Sequence, residues 1–124
     1  MGNFNNRFGF ENLEVYQLAL DMTAEVYKAA ATFPKAEQYR LSDQICRAST
    51  SVALNIAEGR GRGTDKDFCR FLHNARGSLL ETLAGLQIAV RLGFLEASAY
   101  EALTDHAGRL NAKINALIST LRQD

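Results

Sequence analysis

The sequence predicts an all-α fold, an antiparallel up-down four-helix bundle, on three observations. Four amphipathic segments repeat their apolar residues with helical period. Short glycine- or proline-bearing connections separate them, which makes consecutive helices antiparallel neighbours. No segment alternates apolar and polar residues for long enough to suggest a sheet. With 124 residues, 47% of them apolar and 23% charged, and one proline, the chain suits a single folded domain with a substantial core.

Residues 1–9 read as a loose N-terminal tail without the apolar core of a leader peptide. The first helix is expected over 13–31, stopped by Thr32-Phe33-Pro34, because proline cannot continue a helix and restricts the residue before it. The second is expected over 41–58, with Leu41, Ile45, Val52 and Ile56 as its apolar stripe and Gly59, Gly61 and Gly63 as its stop. The third is expected over 64–92. The Thr64 hydroxyl suits the free amides of the first turn, Asp65 and Asp67 suit the positive helix end, and Gly93 suits a left-handed stop. Its stripe is Phe68, Leu72, Ala75, Leu79, Leu83, Leu86 and Val90. The fourth is expected over 97–122, with Tyr100, Leu103, Ala107, Leu110, Ile114, Leu117, Ile118 and Leu121 on one face. These stripes read as bundle core rather than as a cofactor box.

The first helix differs from the others. Leu13, Tyr16, Leu20, Ala24, Tyr27 and Ala31 form one apolar stripe. Val15, Leu18, Met22, Val26 and Ala29 form a second on nearly the opposite side. An edge helix of a small bundle needs one buried stripe. Leaving the other wet would forgo roughly 1.5–3 kcal/mol for each large side chain. The alternatives are a helix set deep between two neighbours and a stripe that packs on another subunit. The second is favoured, with Val15, Leu18, Met22 and Val26 as interface residues, joined by Leu80 and Ile88, which lie off the stripe of the third helix.

Several chemistries are disfavoured. Di-iron bundles need Glu-x-x-His motifs, but Arg70 and Leu103 stand three residues before His73 and His106. Both histidines therefore read as partly exposed polar residues. Cys46 and Cys69 form no CxxC and read as reduced gap-fillers. The Gly-Arg-Gly-Arg-Gly run at 59–63 follows a helix rather than a strand, and it ends in Gly63-Thr64-Asp65 rather than Gly-Lys-Ser/Thr, so it is not a nucleotide loop. No catalytic residue, metal ligand or cofactor is assigned. No apolar run approaches the roughly 20 residues of a membrane span, and the cytoplasm is the expected compartment.

Net charge is zero, yet Arg40 to Arg76 carries seven basic against four acidic residues. Arg60, Arg62, Lys66 and Arg70 cluster where the second helix gives way to the third, with Arg47 and Arg76 as second choices. Such a patch would grip a nucleic-acid backbone without reading its sequence. The plainer alternative pairs these cations with Glu58, Asp65 and Asp67 on a solvated surface.

Four stretches carry a family likeness: FENLEVYQLALDM from Phe10, FPKAEQYRLSDQICRASTSVALNIAEGRGR from Phe33, FLHNARGSLLETL from Phe71, and RLGFL from Arg91. Together they resemble the bacterial four-helix bundle proteins called 23S rRNA intervening-sequence proteins, or S23, over nearly the whole chain. The chain departs from their usual pattern at Ala53 and Leu54, where the family more often has proline and serine. The resemblance implies an antiparallel bundle that assembles into a ring, commonly a pentamer. Relatives include the accessory protein of diversity-generating retroelements, a basic pentameric barrel that binds nucleic acid and a reverse transcriptase. The resemblance carries no catalytic residue. The expectation is a non-enzymatic homo-oligomer that binds RNA or DNA. The alternative is a protein-interaction scaffold whose partner meets the outer face without nucleic-acid contact.

Overall fold

The computed structural model describes residues 8–122. The expectations for residues 1–7 lie outside the described residues. Four helices follow in order: α1 (Glu14–Ala30), α2 (Leu41–Arg60), α3 (Asp65–Arg91) and α4 (Ala97–Leu121), with a 3-10 turn at Lys35–Glu37 between the first two. Each helix packs on the next and α4 returns to α1, so α1 and α3 face each other across one diagonal, α2 and α4 across the other. The all-α four-helix bundle expected from the sequence is the fold observed.

Phe8 and Gly9 do not behave as a loose tail. The Phe8 amide donates to Glu11 Oε1 at 2.9 Å, Gly9 turns the chain at φ +91°, and Phe10 packs edge-on against Tyr16 at 5.0 Å. Glycine makes that left-handed turn without steric cost.

The core is one continuous cluster drawn from all four helices. α1 contributes Val15, Ala19, Met22, Val26 and Ala30. This corrects the expectation for the first helix: Val15, Met22 and Val26 lie inside the chain's own core and cannot meet a second subunit. The physical reason is that this side also carries Ala19 and Ala30 and so forms an unbroken apolar stripe, whereas the other carries Tyr16 and Tyr27. On the opposite stripe Ala24, Tyr27 and Ala31 are exposed, while Leu13, Tyr16 and Leu20 are partly buried against the core. The Tyr27 hydroxyl meets Thr50 Oγ1 on α2 at 3.2 Å at the exposed edge of this stripe. Leu18 is half-buried on the flank toward α4.

α2 runs two residues further than its glycines suggested, to Arg60. Gly59 is a buried helical position: a Cβ there would lie 2.6 Å from Phe71 Cβ. Gly85 on α3 meets Ile45 in the same way, at 2.6 Å from Cγ1. These two glycines let α2 and α3 approach closely, and Ser78 Oγ donates to Ser51 Oγ at 3.0 Å within the same seam. The turn itself falls at 61–64, with Gly63 at φ +90°.

α3 starts as expected, with Thr64 Oγ1 accepting from the Asp67 amide at 3.1 Å. It ends on Gly93 at φ +79°, where the Gly93 amide bonds Val90 O at 3.0 Å and the Phe94 amide bonds Ala89 O at 2.8 Å. That paired closure is a Schellman stop. Leu83 and Val90 are only partly buried, and Thr82 and Ala89 take the interior positions beside them. On α4, Leu103, Ala107, Leu110, Ile114 and Ile118 are buried as expected, while Tyr100, Leu117 and Leu121 line the margin.

Candidate nucleic-acid interface and apolar outer faces

The up-down topology brings the end of α2, the start of α3 and the end of α4 to one end of the bundle, and the basic cluster forms there. Arg60 closes α2 and is exposed, its guanidinium lying against Gly9. Arg62 and Arg70 both lie over the Phe71 ring, 4.9 and 4.5 Å from its centroid. This cation–π contact holds two guanidinium groups together in spite of their like charge. Lys66, in the first turn of α3, lines a groove of about 780 Å³ with Arg70, His73 and Arg122, and Asp65 and Asp67 line it too.

The neutral alternative is partly realised. Arg62 Nη2 bonds Glu58 Oε2 at 2.9 Å, and Arg70 lies 3.8 Å from Asp67 Oδ1. Both pairs are solvent-exposed, so each is worth about 0–1 kcal/mol and exchanges readily for a phosphate. Among the described residues, Arg60 and Lys66 have no ion-pair partner.

The two second choices do not join the cluster. Arg47 sits in the second turn of α2, 13 positions before Arg60 and therefore about 20 Å away along the helix. Arg76 donates from Nη1 to Asn115 Oδ1 at 2.6 Å, while its Nη2 meets His73 Nδ1 at 2.9 Å. The bond to Asn115 pins α3 to α4. Arg122, which the sequence reading passed over, joins the groove instead. The signal was the antiparallel register: the last turn of α4 must lie beside the first turn of α3.

The remaining polar residues offer little reactive chemistry. His73 is exposed as expected, but His106 is buried, which corrects the other half of that expectation. Its Nδ1 lies 3.2 Å from Glu25 Oε1 on α1, a tie between α4 and α1. Both cysteines are free thiols. Burial, and secondarily Asp43, pushes the Cys46 thiol above its ordinary range, away from nucleophile character. Among the described residues, no three His, Cys, Asp or Glu side chains converge as metal ligands would. No described helix is long and apolar enough to cross a membrane.

Two outer faces are unexpectedly apolar. One spans α1 and α2 and includes Ala24, Tyr27 (50% exposed) and Leu54 (62% exposed). It deepens beside the end of α1 into a cleft of about 510 Å³ whose lining includes Ala31, Phe33 and Cys46. The other lies along α3, where Leu80 and Ile88 are 54% and 50% exposed. Those two interface candidates are thus placed on the surface, unlike their α1 counterparts.

The family model described as 23S rRNA-intervening sequence protein matches residues 11–116, a span holding α1 to α3, most of α4 and the glycine–arginine turn. The chain belongs to that family. The likeness read from the four sequence stretches is therefore correct. Among solved structures, the family fold is also seen in a protein with unknown function from the S23 ribosomal protein family of Bacteroides thetaiotaomicron VPI-5482. That chain superposes with a TM-score of 0.78 at 22% identity, over 85% of this chain and 95% of the other. At that identity the likeness speaks for the fold. No curated protein matches this member of the family.

Proposed function

We propose that this 23S rRNA-intervening sequence protein is a non-enzymatic, self-associating bundle that binds RNA or DNA through backbone contacts. The observation that carries the reading is the basic end: Arg60, Arg62, Lys66 and Arg70 on one end of the bundle, two of them fixed over Phe71. Fixed guanidinium groups lose less freedom on meeting a phosphate than mobile ones do, and their exposed partners give way cheaply. Arg122 extends the patch along the groove. Self-association is supported by apolar side chains left at least half exposed on two outer faces, Tyr27 and Leu54 on one and Leu80 and Ile88 on the other. The ring, commonly pentameric, implied by the family resemblance is one way to cover them.

The test is a filter-binding titration with structured RNA at several salt concentrations. Four phosphate contacts per chain predict that the logarithm of affinity falls against that of salt with a slope of about −3 to −4 per subunit. Arg60→Ala/Arg62→Ala should weaken binding at least tenfold at low salt and flatten the slope by about two. Equal retention of RNA by wild type and variant, or none by either, overturns the nucleic-acid reading. A wild-type chain that sediments as a monomer at micromolar concentration overturns the self-association reading. The scaffold alternative then takes its place, with the α1/α2 face as the surface for a different protein.

A further inference from the structure

The basic end carries an exposed aromatic ring that the phosphate contacts do not use. The up-down topology brings the start of α1 to the end at which α2 gives way to α3, and the residues before α1 cross beside Arg60. Phe8 stands there, 70% exposed. The other exposed tyrosines and phenylalanines among the described residues, Tyr27 and Tyr39, lie at the opposite end of the bundle. Phe68 and Phe71 do belong to the basic end, but each is only 7% exposed, and Phe71 already carries two guanidinium groups. Rings buried to that degree cannot stack a base.

Phe8 is held in place. Its amide donates to Oε1 of the buried Glu11 at 2.9 Å, and Gln17 Nε2 donates to the Glu11 carbonyl oxygen at 2.6 Å, which ties the segment to α1. The Phe8 ring stacks on Phe10, with centroids 6.4 Å apart and planes 20° from parallel, and Phe10 rests edge-on against Tyr16. An anchored ring loses little freedom when a second flat group meets it. One residue further, the Arg60 guanidinium lies 3.8 Å from the point at which a Gly9 side chain would begin. Among the described residues Arg60 has no ion-pair partner. A flat apolar ring and a cation therefore adjoin, and a nucleotide offers the matching pair, a base with a π-face and a phosphate. In a duplex the bases already stack on one another, so a side-chain ring reaches them only where the strand is unpaired.

We infer that the basic end takes unpaired nucleotides, one base stacked on Phe8 with its phosphate on Arg60. The inference rests on the nucleic-acid reading and names the form of nucleic acid selected: single strands, loops and ends over continuous duplex. Every base has a π-face, so the selection is for strandedness and not for sequence.

The test compares a dye-labelled single-stranded RNA, about a dozen nucleotides of mixed sequence, with the duplex it forms with its complement, by fluorescence anisotropy. Phe8→Ala should weaken single-strand binding by about 5- to 100-fold, the loss of one base–aromatic stack, and leave the duplex within about twofold. No charge is removed, so the salt dependence should not change. Phe8→Tyr should restore single-strand binding, whereas Arg60→Ala should weaken both RNAs and lower the salt slope by about one. The chain has no tryptophan, so Phe8→Trp places a lone fluorophore at this ring. Its emission should be quenched by the single strand and unchanged by the duplex. Equal losses on both RNAs with Phe8→Ala, no loss on either, or an emission that the single strand leaves unquenched overturns the stacked base and leaves the nucleic-acid reading standing. A wild-type chain that binds neither RNA overturns both.

Discussion

Gly59 shows how one missing side chain can set a helix pair. Its hydrogen points at Phe71 Cβ, an atom too near the backbone to swing aside, and at Phe68, whose carbonyl oxygen would lie 3.4 Å from an added Cβ. Alanine is the better helix former by about 1 kcal/mol, but forcing a methyl into a filled seam costs about 1–3 kcal/mol. Gly59→Ala should therefore destabilise the fold by up to about 2 kcal/mol in urea unfolding at fixed protein concentration. Gly108 on α4 has open space where its Cβ would be, so Gly108→Ala should stabilise by about 0.5–1 kcal/mol. If Gly59→Ala proved as harmless as Gly108→Ala, α2 and α3 would not pack as closely as described. The same seam explains why Phe71, held from beneath by Gly59, can present its ring to Arg62 and Arg70.

At the scale of the element, punctuation decides most boundaries. Thr64 caps α3 at the point where the chain must leave the glycine turn, and its hydroxyl serves the Asp67 amide. Thr64→Ala should cost about 1 kcal/mol, and Thr64→Ser should restore most of it, measured by the same unfolding curves. A loss below about 0.3 kcal/mol would mean that the aspartates of the first turn start the helix without the cap. Such signals are local, which is why the bundle, the start of α3 and the Gly93 stop were legible in the sequence. Gly59 was misread because a glycine looks the same whether it ends a helix or admits a neighbour, and only the partner helix tells the two apart. The two stripes of α1 were legible as a pair, but not which one faced inward. Period alone is symmetric between them, both carry alanines, and the discriminating detail was the pair of tyrosines on the outward side. His106 was missed for a similar reason: its cover is Glu25, 81 residues away in sequence. Of the basic site, Arg60, Arg62, Lys66 and Arg70 were legible by adjacency. Arg122 and the structural duty of Arg76 depend on the register of α3 against α4.

At the scale of the whole molecule, the basic cluster and the outer end of α3 lie at opposite ends of the bundle, and this separation lets nucleic-acid binding and self-association be tested together. Ile88 is near the end of α3 whereas Arg60, Arg62 and Lys66 surround its start, more than 20 residues earlier and therefore on the order of 30 Å away. A substitution at Ile88 cannot touch RNA held at the other end. If copies stand side by side with parallel axes, however, their basic ends come together on one side of the assembly. Each copy's cations then act on one polyanion at a high effective concentration, and avidity exceeds the affinity of a single chain. The Ile88→Glu variant should accordingly bind a long structured RNA at least tenfold more weakly than wild type, with a shallower salt dependence. Its affinity for an RNA long enough for one basic cluster alone should be unchanged. Both RNAs bound as by wild type would separate nucleic-acid binding from assembly. Both lost together would place α3's outer ridge in the RNA contact itself.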